Sequence, residues 1–205
     1  MDQPTATVFI VDDDREISAV LREIVESAGF SSVLCPNAEC FLQACRSETP
    51  GCMILDVQLP GMSGLELQRT LGANPVCMPV IVLTGHSSVK LAVEVMQAGA
   101  FSFLEKPASP PQLLQLVQEA VELDAAKKRQ ATEHREAAQR VADLSERERE
   151  VMKLLVEATA PKTIAKQLGI STKTVDFHRN NLLAKMKCDS VSELIRFSIQ
   201  NELAH

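Results

Sequence analysis

The chain has 205 residues, 45% of them apolar, and a formal net charge of −6. That is enough for one large domain or two small ones, with the apolar content of an ordinary globular protein. No apolar run approaches the roughly 20 residues that span a bilayer, and Met1-Asp2-Gln3-Pro4 lacks the basic and apolar regions of a signal peptide, so a cytoplasmic protein with no membrane partner is expected.

In chain order, the first apolar run, Val8 to Val11, reads as a buried strand. Ile17, Val20, Leu21, Ile24, Val25 and Ala28 then recur at helical spacing, and Gly29 closes that helix. A short strand, 32–35, precedes a helix over 37–46. Strand 52–55, helix 63–71, strand 79–83, helix 87–97 and strand 101–104 follow, then a helix from about Pro110. Five strand–helix units imply a parallel sheet covered on both faces. The last helix carries Leu113, Leu116, Val117, Ala120 and Val121 on one stripe. Beyond Leu123 the stripe fades into Ala, Lys, Arg, Gln and Glu, which form helix well. Residues 123–143 therefore read as a linker, helical or a solvated tether; as a helix it would span about 30 Å.

From Leu144 the pattern changes to short helices. Ser145 and Glu148 make a capping box, followed by Val151, Leu154, Leu155 and Ala158. Pro161 opens a second helix closed by Gly169. Ser171 caps a third, and Ser190 and Glu193 form a second capping box before the last. The expected divisions are 1–122, 123–143 and 144–205. Their net charges are −9 up to residue 123, +1 over 124–143 and +2 from 144. An acidic front half suits a metal site, and a mildly basic back half permits nucleic acid. The six cysteines, at 35, 40, 45, 52, 77 and 188, include no CxxC pair and read as reduced thiols.

In an open parallel sheet all strands end on one edge, where ligands bind. Here that edge receives Asp12 and Asp13, Asp56, Thr84 and Lys106. Clustered carboxylates repel, by roughly 4 kcal/mol for a pair about 4 Å apart at an effective dielectric near 20, so they call for a cation. Mg²⁺ (or Mn²⁺) fits, because it takes one or two carboxylates plus waters and phosphate oxygens. The expected ligands are Asp13, Asp56 and the backbone carbonyl of Gln58, with Asp12 acting through water. Asp56 would accept a phosphoryl group, with Lys106 and Thr84 on its oxygens.

These residues resemble a response-regulator receiver domain over 5–122. The matching stretches are Val11-Asp12-Asp13-Asp14, Leu55-Asp56-Val57-Gln58-Leu59-Pro60-Gly61-Met62-Ser63-Gly64, Leu83-Thr84-Gly85-His86 and Glu105-Lys106-Pro107. The resemblance implies the flavodoxin-like (βα)5 fold with strand order 2-1-3-4-5. It also implies Asp56 as phosphoacceptor, Asp12 and Asp13 as the acidic metal pair, Thr84 and Phe103 as switch residues, Lys106 as the phosphate-sensing lysine, and a cis Lys106–Pro107 peptide. Its partner would be a histidine kinase.

In the second half, Ala165, Gly169 and Val175 have helix-turn-helix spacing, with Ser171 to Met186 as the recognition helix. With Val175, Leu182 and Met186 inward, Lys173, Asp176, Phe177 and Asn180 face out, flanked by Arg179, Asn181 and Lys185. With Thr174, these are the candidate DNA contacts: polar groups for base edges, a ring for a thymine methyl, cations for phosphates. Residues 144–200 resemble the four-helix output domain of the LuxR/NarL class, through Leu144 to Val151, Ile164 to Ser171, Lys173-Thr174-Val175 and His178-Arg179. With the receiver's Thr-Gly-His, the whole resembles the FixJ-type branch. Two positions depart: Ala158 replaces the family's usual Gly, and Ala160-Pro161 its usual Ser-Asn.

The reading is an α/β domain plus an all-α domain, acting as a transcriptional regulator rather than an enzyme beyond its own phosphorylation and dephosphorylation. It would bind promoter DNA as a phosphorylation-promoted homodimer, with RNA polymerase a further partner. A haloacid-dehalogenase-like phosphatase would need an Asp where Gln58 stands. A phosphorylation-gated protein-interaction module without DNA binding, or a sigma-like polymerase-binding piece, is the other alternative.

Overall fold

The computed structural model describes residues 6–45, 50–72, 78–85 and 88–201; Cys77 and His86 lie outside them. The chain forms two compact units, Met1–Arg129 and Gln130–His205.

The first unit is a five-stranded parallel sheet in the order β2-β1-β3-β4-β5, built from β1 (Thr7–Val11), β2 (Ser31–Cys35), β3 (Gly51–Leu55), β4 (Val80–Thr84) and β5 (Ser102–Glu105). Both faces are covered, which is why the central strands read as unbroken apolar runs. Phe9, Val11, Met53, Leu55, Val80 and Val82 face one core with Phe41 and Leu67. Val8, Ile10, Cys52, Ile54, Ile81 and Leu83 face the other with Leu21, Val25, Leu113 and Val117. Each buried aliphatic side chain contributes about 1.5–3 kcal/mol. The helices α1 (Arg15–Ser27), α2 (Ala38–Ala44), α3 (Gly64–Gly72), α4 (Val89–Gln97) and α5 (Pro110–Ala142) follow the strands in turn. Asp14, Asn37 and Ser88 cap α1, α2 and α4 through their side chains.

Some expectations shift. Val20 stands on the apolar stripe of α1 but is 56% exposed. The fifth strand begins at Ser102 rather than 101. Asp124, in the stretch read as polar linker, is buried: it accepts the Gly51 N–H at 2.8 Å and pairs with Lys128 at 2.7 Å. The amino end of β3 is thereby tied to α5.

The second unit contains α6 (Glu146–Val156), α7 (Pro161–Leu168), α8 (Thr172–Met186) and α9 (Val191–Gln200). Its core gathers Leu144, Val151, Leu155, Ile164, Val175, Leu182, Met186 and Leu194, with Val141 of α5 packed against it. Ala137 of α5 is fully buried. The Ser145–Glu148 capping box is present. At α9 only half a box forms: Ser190 accepts the Glu193 N–H, while Glu193 turns back to the N–H of Asp189. The chain leaves α6 through Ala158 at φ 56°, the left-handed conformation that glycine adopts without cost, which accounts for the glycine usual at that position.

Candidate phosphoryl and DNA sites

The carboxyl edge of the sheet positions the first candidate site. Asp12 and Asp56 directly follow β1 and β3, Thr84 ends β4, and Lys106 directly follows β5. Asp56 N–H donates to Val11 O at 2.9 Å, and Lys106 N–H to Thr84 O at 2.9 Å. Neighbouring strands thus hold each turn in place by backbone bonds. The Lys106–Pro107 peptide is cis. Gly64 opens α3 where an added Cβ would fall 2.1 Å from the carbonyl oxygen of Asp56; only glycine lets the helix start approach that closely.

Three side chains converge. Lys106 Nζ lies 2.6 Å from Asp12 Oδ2 and 2.5 Å from Asp56 Oδ2. The second oxygens are also held: Asp12 Oδ1 accepts the Asp14 N–H at 3.0 Å, and Asp56 Oδ1 accepts the Gln58 N–H at 3.0 Å. Burial pushes the Asp12 carboxyl up against the opposing pull of Lys106. Burial alone would lower Lys106, but its bonds to Asp12 and Asp56 carry it above the usual value. Asp13 stands exposed beside this group, and Thr84 is buried. Among the described residues no three acidic, Cys or His side chains form a metal cage by themselves. The donor set still suits Mg²⁺, which needs only one or two carboxylates and otherwise takes waters and phosphate oxygens. Phe103 is half-buried against the core on the α2–α3 side of the sheet, in register with Val82.

The second candidate site is α8. Val175, Leu182 and Met186 are buried, as the helical spacing requires. Lys173, Phe177 and Asn180 are exposed, and Thr174, Asp176, Arg179 and Asn181 are half-buried. Phe177 is 62% exposed, with its ring 5.6 Å from that of His178 at an interplanar angle of 69°. Asp176 pairs with Arg179 Nη1 at 3.1 Å, which engages one edge of that guanidinium. Lys185, grouped with the candidate phosphate contacts by its spacing, pairs with Glu148 at 2.7 Å and donates to the carbonyl of Asp143 at 3.3 Å. Helical position alone could not reveal that bond, because its partner lies 37 residues earlier.

Two family models match the chain: the response regulator receiver domain over residues 8–118 and the bacterial regulatory proteins of the luxR family over residues 142–198. The transcriptional regulatory protein FixJ of Azorhizobium caulinodans is 42% identical over 192 residues, 94% of this chain and 91% of that protein. The response regulator protein TmoT of Ectopseudomonas mendocina is 35% identical over 196 residues, 96% of this chain and 89% of that one. Among solved structures, the response regulator StyR aligns with a TM-score of 0.89 at 35% identity, covering 96% of this chain and 99% of that chain.

Proposed function

The chain belongs to the response-regulator family, with a receiver domain ahead of a LuxR-type DNA-binding domain, and from that premise we propose that Asp56 is its phosphoacceptor. The family makes the chain a phosphorylation-controlled regulator of transcription whose receiver works with a histidine kinase and, in general, with Mg²⁺. The observation that carries the assignment is the Lys106 ammonium held jointly by Asp12 and Asp56.

A carboxylate oxygen of Asp56 attacks phosphorus and displaces the kinase's imidazole, leaving an acyl phosphate. Lys106, already seated between the two acids, then turns its charge to the phosphoryl oxygens. Asp12, Asp13, Asp56 and the backbone carbonyl of Gln58 would hold Mg²⁺ or Mn²⁺. The bound ion would offset the charge of the phosphoryl oxygens during in-line transfer. Phosphorylation adds charge and acceptors beside Asp56. The Thr84 hydroxyl moves toward them, and Phe103, half-buried one strand away, rotates into the space behind it.

On the DNA side, Lys173, Thr174, Asp176, Phe177, Arg179, Asn180 and Asn181 form the reading face. Arg179 and Lys173 serve phosphates, and Asn180 and Phe177 serve base edges. Dimerisation on phosphorylation is supported by the apolar row Val89, Val93 and Met96 exposed along α4; contact with RNA polymerase and a cytoplasmic location complete the reading. No described helix is long and apolar enough to cross a membrane.

The test is intact mass after incubation with phosphoramidate. Wild type should gain one phosphoryl group with Mg²⁺ and none with a chelator, and Asp56→Asn should gain none in either. Equal phosphorylation of Asp56→Asn would overturn the assignment.

A further inference from the structure

The carboxyl ends of α5 and α8 are capped by each other's cations. Arg140, in the last turn of α5, donates to the carbonyl of Met186, the final residue of α8, at 3.4 Å. Its guanidinium also lies 5.7 Å over the ring of Phe197 in α9. In the other direction Lys185 of α8 donates to the carbonyl of Asp143, just past the end of α5, at 3.3 Å. The same ammonium pairs with Glu148 at 2.7 Å, and Glu148 closes the capping box of α6 by accepting the Ser145 N–H. The last carbonyls of a helix lack intrahelical partners and carry its negative dipole end, so a cation is the group that satisfies them. Two helix ends are here satisfied reciprocally, and one of them belongs to the recognition helix.

We propose that Arg140 and Lys185 form a clasp that positions α8 for DNA, with Lys185 acting through Asp143 and Glu148 instead of touching a phosphate. This deepens the DNA-reading proposal and rests on it. Glu148 is buried, and releasing its only cationic partner among these contacts would strand a carboxylate. The ammonium is therefore held to the protein, and the direction of α8 is set by its carboxyl end while its outward face stays available to the groove. Lys185 and Arg140 are positioning residues in this scheme.

The salt dependence of binding separates positioning from contact. A lost phosphate contact makes the log–log salt slope shallower by about 0.9; a misaligned helix weakens binding without that signature. The experiment uses the full chain phosphorylated with phosphoramidate and a duplex enriched by wild type from a random pool. Lys185→Met and Arg140→Met should each lower affinity about tenfold with an unchanged slope, while Lys173→Ala should give the shallower slope. Glu148→Gln keeps the capping box and every cation, which guards against a variant that fails to fold. It should lower affinity as Lys185→Met does.

An affinity equal to or above wild type in Glu148→Gln, or a shallower slope in Lys185→Met, would make Lys185 a phosphate contact and overturn the clasp. Binding within about twofold of wild type in both Met variants would overturn it as well. Failure of wild type to enrich any duplex would instead overturn the DNA reading, and the clasp with it.

Discussion

Lys106 and Asp12 are separated by 94 residues in the chain and by 2.6 Å in the fold. The same ammonium reaches Asp56, so one cation holds two buried carboxylates that would otherwise face each other. The pocket is thus only partly charge-compensated by the protein itself: one ammonium faces two carboxylates, which leaves negative charge for a divalent ion.

Lys106→Met tests that compensation. Removing one partner of a buried ion pair costs about 3–5 kcal/mol. The receiver's melting temperature should fall in chelator and recover in large part on adding Mg²⁺, while wild type changes little between the two. Thermal unfolding followed by circular dichroism reads this directly; an equal fall in both buffers would mean that the carboxylates are not a cation site.

Gly64→Ala probes the close approach of α3 to Asp56. The new Cβ would lie 2.1 Å from a backbone oxygen, which cannot swing away as a side chain can. Overpacking of this kind costs about 1–3 kcal/mol. We expect a less stable receiver and slower phosphorylation by phosphoramidate, since the turn that carries Asp56 must shift; a rate equal to wild type would detach Gly64 from the geometry of the acceptor.

Ala158→Gly should stabilise the second unit by about 0.5–1 kcal/mol. Ala158 is exposed and sits at φ 56°, so glycine removes strain without giving up burial, less the greater freedom it gains in the unfolded chain. Urea unfolding of the fragment 130–205 measures it. A destabilised variant would contradict the left-handed conformation at this residue.

The Lys185 bond holds the Glu148 carboxyl below its ordinary value of 4.5, against the opposing effect of burial and with further help from Ser145. A carboxyl whose pKa is depressed on folding adds stability that is complete above its unfolded value and is lost as pH falls through the folded one. Wild type should therefore be more stable than Glu148→Gln at pH 7. That margin should shrink as acid titrates the carboxyl below about pH 4.5. Thermal melts of both proteins across pH 7 to 3 decide it, and a margin that persists unchanged into acid would place the stabilisation elsewhere.

The convergence of Asp12, Asp56 and Lys106 was legible from sequence because buried parallel strands read as continuous apolar runs, so the residue after each run marks the carboxyl edge of the sheet. Asp56 and Lys106 could be found in that way. The hold of Asp56 Oδ1 by the Gln58 N–H and the need for glycine at 64 depend on backbone proximity that no spacing reports. Asp124 was missed for a related reason: an Asp among Lys, Arg and Ala looks solvated, and its partner, the N–H of Gly51, lies 73 residues away. Val20 fails in the opposite sense, on the apolar stripe yet outside the core. On α8 the inward residues followed from period alone, whereas the bond of Lys185 to Glu148 did not, because helical spacing does not show which cation finds a carboxylate.

The burial of Asp124 and of Ala137 has a consequence for how such regulators can be recombined. A receiver cut at residue 122 leaves the Gly51 N–H without its acceptor, and an output piece begun at 144 gives up Ala137, Arg140 and Val141. Residues 129–136, between Lys128 and Ala137, contribute no side chain to either core. Hybrid regulators should therefore tolerate a splice there and lose melting temperature when the splice falls at 122 or 143. The interchangeable part of this protein is the middle of a helix, not the loop at its end.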